Sequence, residues 1–201
     1  MDLFAYYEET KRVPLEFINK YRSLEESLKE QGIHFRNVDF NNFHEDVKKI
    51  VKVYNEANQD NWGFRPITVE EGQFLAKRLK RATKPEFVFL AEKGDEIVGY
   101  LVTAPDLNEI VFKNGEITFW TKVRFFFHKV KKVKISIMGV NKKYRKMGIA
   151  GIFITKLTEL GIRKKIPGAE ASYILENNKE MNLILQKVNA VLEKKYRIYE
   201  K

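Results

Sequence analysis

Between Val140 and Leu157 the chain reads VNKKYRKMGIAGIFITKL, with Arg145 and Lys146 ahead of Gly148, Ala150 and Gly151. Before it, VKISIMGV alternates Val133, Ile135 and Ile137 with Lys134 and Ser136, as a strand with one better-buried face does. After it, Ile149, Phe153, Leu157 and Leu160 recur at helical spacing. A strand that passes through a short loop into a helix leaves the first helical N–H groups unpaired and convergent, with the helix dipole behind them. Small residues let an anion approach that backbone, and the two cations add charge. Hydrogen bonds to a charged group contribute about 1.5 to 3 kcal/mol each, so a few of them would anchor a pyrophosphate. Neither GxxxxGK[ST] nor GxGxxG occurs, so the junction is not a Walker or Rossmann loop.

Other chemistry is narrowed by what the chain does not contain. Its 201 residues include no Cys, which removes disulfides, thiolate zinc sites and cysteine nucleophiles together and fits a reducing compartment. The three histidines, His34, His44 and His128, form no HxxxH or HxH pair and read as scattered polar residues, not as metal ligands. With 37 Lys plus Arg against 27 Asp plus Glu, the net charge of +10 suits a polyanionic partner: nucleotide, nucleic acid or membrane surface. The opening MDLFAYYEETKR has early acids and no long apolar run, so it is not a secretory signal. No segment reaches the roughly 18 apolar residues of a membrane span. The chain reads as a cytoplasmic protein of one domain with a modest extension.

The elements that must position the junction follow from periodicity. Phe17, Tyr21, Leu24 and Leu28 predict a leading amphipathic helix from Thr10 to about Gln31, stopped by Gly32. FRNVDF at 35–40 reads as a short strand, and Phe43, Val47, Ile50, Val51 and Tyr54 mark a second helix. Thr68 with Glu71 forms a capping box that opens a third helix running to about Arg81. FVFLAE and IVGYLVTA, joined by KGDE, read as a hairpin. AEASYIL reads as a strand, NKEMNLILQKV as a helix and AVLEKKYRIYE as a terminal strand, while 106–131 leaves helix and strand both open. This order mixes a meander with β-α-β crossovers. It predicts an α/β (α+β) fold whose mixed central sheet carries helices on both faces.

The spacing RxxGxA at Arg145, Gly148 and Ala150 matches the Q/R-x-x-G-x-G/A signature of the GCN5-related N-acetyltransferase (GNAT) superfamily. The element order from about 35 to 199 resembles that superfamily's β-α-α-β-β-β-α-β-α-β layout. NEANQDNWGFRPIT, ASYILENNKEMN and KKYRIYE look like a bacterial acetyltransferase-like subgroup. The resemblance implies the GNAT acyl-CoA N-acyltransferase fold over 33–201, with 1–32 as an N-terminal helical extension. It implies acetyl-CoA or another acyl-CoA as co-substrate and direct transfer of the acyl group to a primary amine. The strand ending at Met138 to Val140 would then pair its backbone with the pantetheine arm. Arg145, Lys146, Met147, Gly148, Ile149, Ala150 and Gly151 would hold the pyrophosphate. Asn178 matches the superfamily's Asn near the cofactor, and it equally fits a helix N-cap.

Two positions depart from the family pattern. Where relatives often carry a Tyr that protonates the departing thiolate, seven residues after the Asn, this chain has Leu185. After its last strand the chain ends where many relatives form a hairpin, so a final strand is either missing or supplied by a partner, as in a homodimer. An amine attacking a thioester must lose a proton, and Glu176, just past SYIL, is the candidate base, directly or through water, against a solvated or capping carboxylate. Glu170 and Tyr173 are further candidates. The small-molecule or peptide amine should lie near NWGF, where Trp62 and Phe64 form an aromatic wall beside Arg65 or else pin a long loop to the core. Residues 119–134 interleave aromatic and basic side chains. They could contact nucleic acid or an anionic membrane, and the simpler reading is an amphipathic helix with its rings on the domain. The alternative to an enzyme is a non-catalytic GNAT-fold module that binds coenzyme A, or nothing, and interacts through its basic surface.

Overall fold

The computed structural model describes residues 1–59, 61, 63–81, 83–106 and 132–199. Trp62 and most of the basic aromatic run at 119–134 lie outside them. Seven strands form a mixed sheet in the order β2-β3-β4-β5-β6-β1-β7. They are β1 (Asp2–Glu9), β2 (Ile33–Asn37), β3 (Val88–Lys93), β4 (Glu96–Pro105), β5 (Lys132–Val140), β6 (Gly168–Leu175) and β7 (Val191–Arg197). Neighbours run antiparallel except β5 and β6, which run parallel. The helices are α1 (Leu15–Glu30), α2 (Phe43–Ala57), α3 (Val69–Lys80), α4 (Ile149–Lys164) and α5 (Lys179–Lys187). The expected mixed sheet with helices on both faces is what forms.

Side chains of β3 and β4 show how the two faces are covered. Phe89, Ala91, Val98 and Leu101 pack with Leu28 of α1 and with Ile149, Ile152, Phe153 and Leu157 of α4. Val88, Leu90, Ile97, Tyr100 and Val102 turn the other way, onto Val53 and Ala57 of α2. The first face continues as Tyr6, Ile154, Ala171, Met181 and Leu185, so α1, α4 and α5 share it. Burying one such apolar side chain contributes about 1.5 to 3 kcal/mol. Ile149, Ile152 and Phe153, all 0% exposed, therefore fix the start of α4 firmly against the sheet.

The capping box forms as expected: Thr68 Oγ1 accepts the Glu71 N–H at 3.2 Å, and Glu71 Oε2 accepts the Thr68 N–H at 2.9 Å. The amino-terminal segment needs correcting. Helix α1 begins only at Leu15, after Pro14, and Thr10–Arg12 form a 3-10 turn. The eight residues before that turn are not helical but form β1, which lies inside the sheet. It pairs Leu3 to Glu9 with Leu175 to Gly168 on one side, and Asp2 to Tyr7 with Arg197 to Val191 on the other. β7, the terminal strand the sequence predicts, thus pairs with a strand of its own chain. Asp2 fastens this corner by accepting from Arg197 Nε at 2.7 Å and lying 2.5 Å from Lys195 Nζ. Those two cations hold its carboxyl well below the usual range.

Candidate functional site

The site is built where β5 and β6 part. β5 pairs with β4 along its length, up to Val140 opposite Gly99, yet its pairing with β6 stops at Ile135 opposite Ala171. Each strand carries an extra residue at that point. Thr103 and Val102 of β4 face Ile135 and Ile137 of β5, so Ser136 has no partner. Phe4 and Tyr6 of β1 face Ile174 and Ala171 of β6, so Ser172 and Tyr173 together oppose the single residue Ala5. Tyr173 takes up the bulge with φ 62°. Bulges bend a strand and raise its twist. Two of them at one level turn a parallel pair into a cleft, with the backbone edge of Ser136–Val140 on one wall.

The Ser136 bulge also reverses the side-chain alternation. Val133 and Ile135 face the α4 layer as expected, but beyond the bulge Met138 and Val140 take over that face. Ile137 is left outside at 37% exposure, which corrects the expected Val133-Ile135-Ile137 face. A one-residue insertion moves every later side chain to the opposite face. Met138 and Val140 therefore anchor the wall through their side chains and keep their backbone at the cleft.

At the end of β5 the chain makes a 3-10 turn, Lys142–Met147, before α4. Asn141 holds that turn: its Oδ1 accepts the Lys143 N–H at 3.0 Å and its Nδ2 donates to Glu56 Oε2. Arg145 follows within the turn. Its guanidinium donates to the Ala57 carbonyl at the end of α2 and so ties the turn to the opposite layer. Lys146 is exposed and Met147 half-buried. Gly148 follows in the left-handed region, φ 78°, and offers α4 no side-chain cap. Ile152 N–H to the Gly148 carbonyl, at 3.1 Å, is the first backbone bond of α4. The N–H groups of Ile149, Ala150 and Gly151 precede it, at the positive end of the helix dipole.

The small residues were expected to open the way for a phosphate, but their free space faces inward. A Cβ on Gly151 would lie 2.1 Å from Tyr21 Cε1, and one on Gly148 would lie 2.5 Å from Leu24 Cδ2. Helix α1 fills the room these glycines leave. What they offer a ligand is backbone N–H, in a conformation that Gly148 adopts without the strain a side chain would bring.

The remaining candidates are spread around the cleft. Asn178 caps α5, its Oδ1 accepting the Met181 N–H at 3.1 Å, and is exposed. Leu185 is 1% exposed among Ile154, Ala171 and Met181, so that position is core and holds no acid. Glu176 Oε1 accepts the Asp2 N–H at 3.0 Å, which sets its carboxylate on the β1 side of β6, across the strand from the cleft. Glu170 is buried below the bulge, with Lys132 Nζ at 2.6 Å, Lys134 Nζ at 3.8 Å and a hydrogen bond from Ser172 Oγ. Burial raises its carboxyl, but the bond from Lys132, with Ser172 and Lys134, outweighs this and holds it below the usual range. Phe64 rests on Tyr54 of α2, ring centroids 5.8 Å apart. The structure thus brings together Ser136–Val140 and Lys146–Gly151, and leaves Glu176, Asn178 and Phe64 at the margins. Sequence reasoning missed both bulges and the role of Tyr21. The lone polar Ser136 in an apolar run was the available hint for one of them.

The comparisons with known proteins agree with this geometry. The family model described as Acetyltransferase (GNAT) family matches residues 47–186. A protein of Caulobacter vibrioides (strain NA1000 / CB15N) named bacterial ceramide synthase is 32% identical over 210 residues, covering 100% of this chain and 54% of its own length. Protein YghO of Escherichia coli (strain K12) is 29% identical, covering 100% of this chain and 53% of its own length. The chain therefore spans about half the length of these curated relatives. Among solved structures, a GCN5-related N-acetyltransferase from Sphaerobacter thermophilus aligns with TM-score 0.63 at 17% identity, covering 97% of this chain and 49% of that one. An N-acetyltransferase from Staphylococcus aureus Mu50 aligns with TM-score 0.51 at 18% identity, covering 78% and 82%. The structural likenesses speak for the fold, the sequence matches speak for descent, and together with the split β5–β6 pair they show that this chain belongs to the acetyltransferase (GNAT) family.

Proposed function

We propose that the protein is an acyl-CoA-dependent N-acyltransferase that passes an acetyl or other acyl group directly to a primary amine. The observation that carries this reading is the cleft between β5 and β6, which runs from the paired bulges to the uncapped start of α4. An extended pantetheine arm suits an unpaired strand edge, since buried N–H and C=O groups require partners. A pyrophosphate suits the N–H groups of Ile149, Ala150 and Gly151, with Lys146 adding charge. The thioester would supply an activated carbonyl carbon. In this reading the amine nitrogen attacks that carbon and loses a proton to a base, the carbon–sulfur bond breaks with coenzyme A leaving as its thiolate, and that sulfur takes up a proton from solvent.

Glu176 is the base in this proposal. Its Oε1 is fixed by Asp2, its exposed carboxylate can still accept a proton through Oε2, and its place on the β1 side of β6 calls for an intervening water. Glu176→Gln should then depress turnover by about 10²-fold or more with coenzyme A affinity kept. Unchanged turnover would leave Glu176 with its structural bond alone. Trp62 and Phe64 remain the proposed edge of the acceptor site. The Caulobacter relative's name makes long-chain amino alcohols worth including in the amine panel beside short amines and peptides.

The buried Leu185 favours a second reading, a non-catalytic module that keeps the cofactor cleft without an acid at that position. One experiment separates the two. Acetyl-CoA at about a hundred times its dissociation constant should stabilise the fold by about 2.7 kcal/mol in a thermal melt. Thiol release with the amine panel then reports transfer. A melt shift without thiol release for any amine selects a module that binds coenzyme A, and no shift at all contradicts the enzyme and leaves a module that binds none.

A further inference from the structure

Helix α3 packs through Gly72 and Gln73, which are buried, and through Leu79, which joins the α2 side of the core. Gln73 Nε2 donates to the His44 carbonyl at 2.7 Å. Its opposite side is unusual. Phe74 stands 63% exposed there, with Leu75 beside it at 49%. Positions three, four and seven residues on share the face of Phe74 and are Lys77, Arg78 and Arg81, all exposed. The Arg78 guanidinium lies 5.8 Å from the centre of the Phe74 ring. Among the described residues none of these three cations is in an ion pair, whereas Lys80 is drawn away to the Phe40 carbonyl and the rings of Phe40 and Phe43. The acids of the helix, Glu70 and Glu71, sit in its first turn, and Glu71 is taken up by Arg65 and Thr68. The carboxyl half of α3 is therefore a face of one ring and one leucine set among cations that pair with no acid among the described residues.

We propose that this face docks on an anionic phospholipid bilayer, with Phe74 and Leu75 entering the headgroup layer and Lys77, Arg78 and Arg81 pairing with lipid phosphates. Two apolar side chains on one helix are too little for a stable protein interface, which buries about 1,200 Å² or more with close shape complementarity. They suffice at a bilayer, where shallow insertion adds to the attraction between clustered cations and anionic headgroups. The net charge of +10 adds long-range attraction of the same sign. The proposal does not depend on acyl transfer, because its readout is binding alone.

The test is co-sedimentation of the full chain with phosphatidylcholine vesicles, with and without phosphatidylglycerol, at low and high salt. The protein should pellet with the anionic vesicles and be released by salt. Lys77→Ala, Arg78→Ala and Arg81→Ala should each weaken binding about fivefold. The double variant Phe74→Ser, Leu75→Ser should lose most of it, with an unchanged melting curve because both side chains are exposed. Variants that pellet like the parent would overturn the proposal by placing any membrane affinity elsewhere in the chain. Retention on a polyglutamate matrix without vesicle binding would overturn it in favour of an acidic protein partner.

Discussion

β5 and β6 run parallel and each leads into a helix at the same end of the sheet, but the two junctions are finished differently. After β6, Asn178 gives its side chain to the Met181 N–H, and Asn182 reaches back to the carbonyls of Leu175 and Asn178 at 3.1 and 2.9 Å. Two of the first N–H groups of α5 are thus taken up locally, that of Met181 by Asn178 and that of Lys179 by the Asn177 carbonyl at 2.9 Å. After β5 the corresponding place is Gly148, which offers no side chain, and the first N–H groups of α4 stay available. One junction stabilises itself, and the other is held from the flanks by Tyr21, Leu24 and Arg145. A site can be left open at a helix start only if the helix is secured elsewhere, and α4 is secured by its buried body and by α1.

This contrast predicts that stability and binding respond to different residues. The largest stability effect should come from the far part of α4, where Thr158 Oγ1 donates to the buried Glu8 at 3.2 Å. Burial pushes the Glu8 carboxyl up from 4.5 to about 7. A carboxyl raised in this way favours the folded state below its unfolded value, and the advantage disappears as the pH rises through about 7. Unfolding free energy from urea titrations should fall by about 3 kcal/mol between roughly pH 5 and pH 8, and Glu8→Gln should flatten that slope. Next, Gly151→Val should cost about 2 to 3 kcal/mol by driving a side chain into the Tyr21 ring, and Tyr21→Ala in the same chain should recover part of it. A fully stable Gly151→Val would show that α1 does not secure the open junction.

Smaller effects divide the two junctions directly. Lys146→Glu should weaken coenzyme A binding by about tenfold or more in calorimetry with no change in melting temperature, because the side chain is exposed and the proposed site uses its charge on the pyrophosphate. Asn178→Ala should do the reverse, losing about 1 kcal/mol of stability with coenzyme A affinity unchanged. If Asn178→Ala instead weakens binding more than Lys146→Glu does, the open and closed assignments are the wrong way round.

Much of this was legible in local sequence. The α4 junction showed in RxxGxA between an alternating strand and a periodic helix, and the α3 start showed in Thr68 and Glu71, because caps and periodicities are encoded within a few residues. The place of β1 was not legible. Its pairings join Asp2 to Arg197 and Leu3 to Leu175, and no local pattern announces a contact that distant. The bulges at Ser136 and at Ser172–Tyr173 were hidden for a different reason. A single extra residue leaves composition untouched and shows only as a reversal of phase, so Ile137 was read as facing the core when it faces out. Gly148 and Gly151 were singled out as small residues that admit an anion, but the space their size leaves is filled by Tyr21 and Leu24, more than a hundred residues earlier.

The central claim is that the backbone of the split β5 edge and of the α4 start binds the acyl-CoA. Amide-resolved NMR of the protein titrated with acetyl-CoA addresses it directly. The account predicts shifted and exchange-protected amides at Ser136–Val140 and Ile149–Gly151, with those of Lys179–Asn182 unmoved. Protection confined to the start of α5, or binding that leaves Ile149, Ala150 and Gly151 unperturbed, would contradict it.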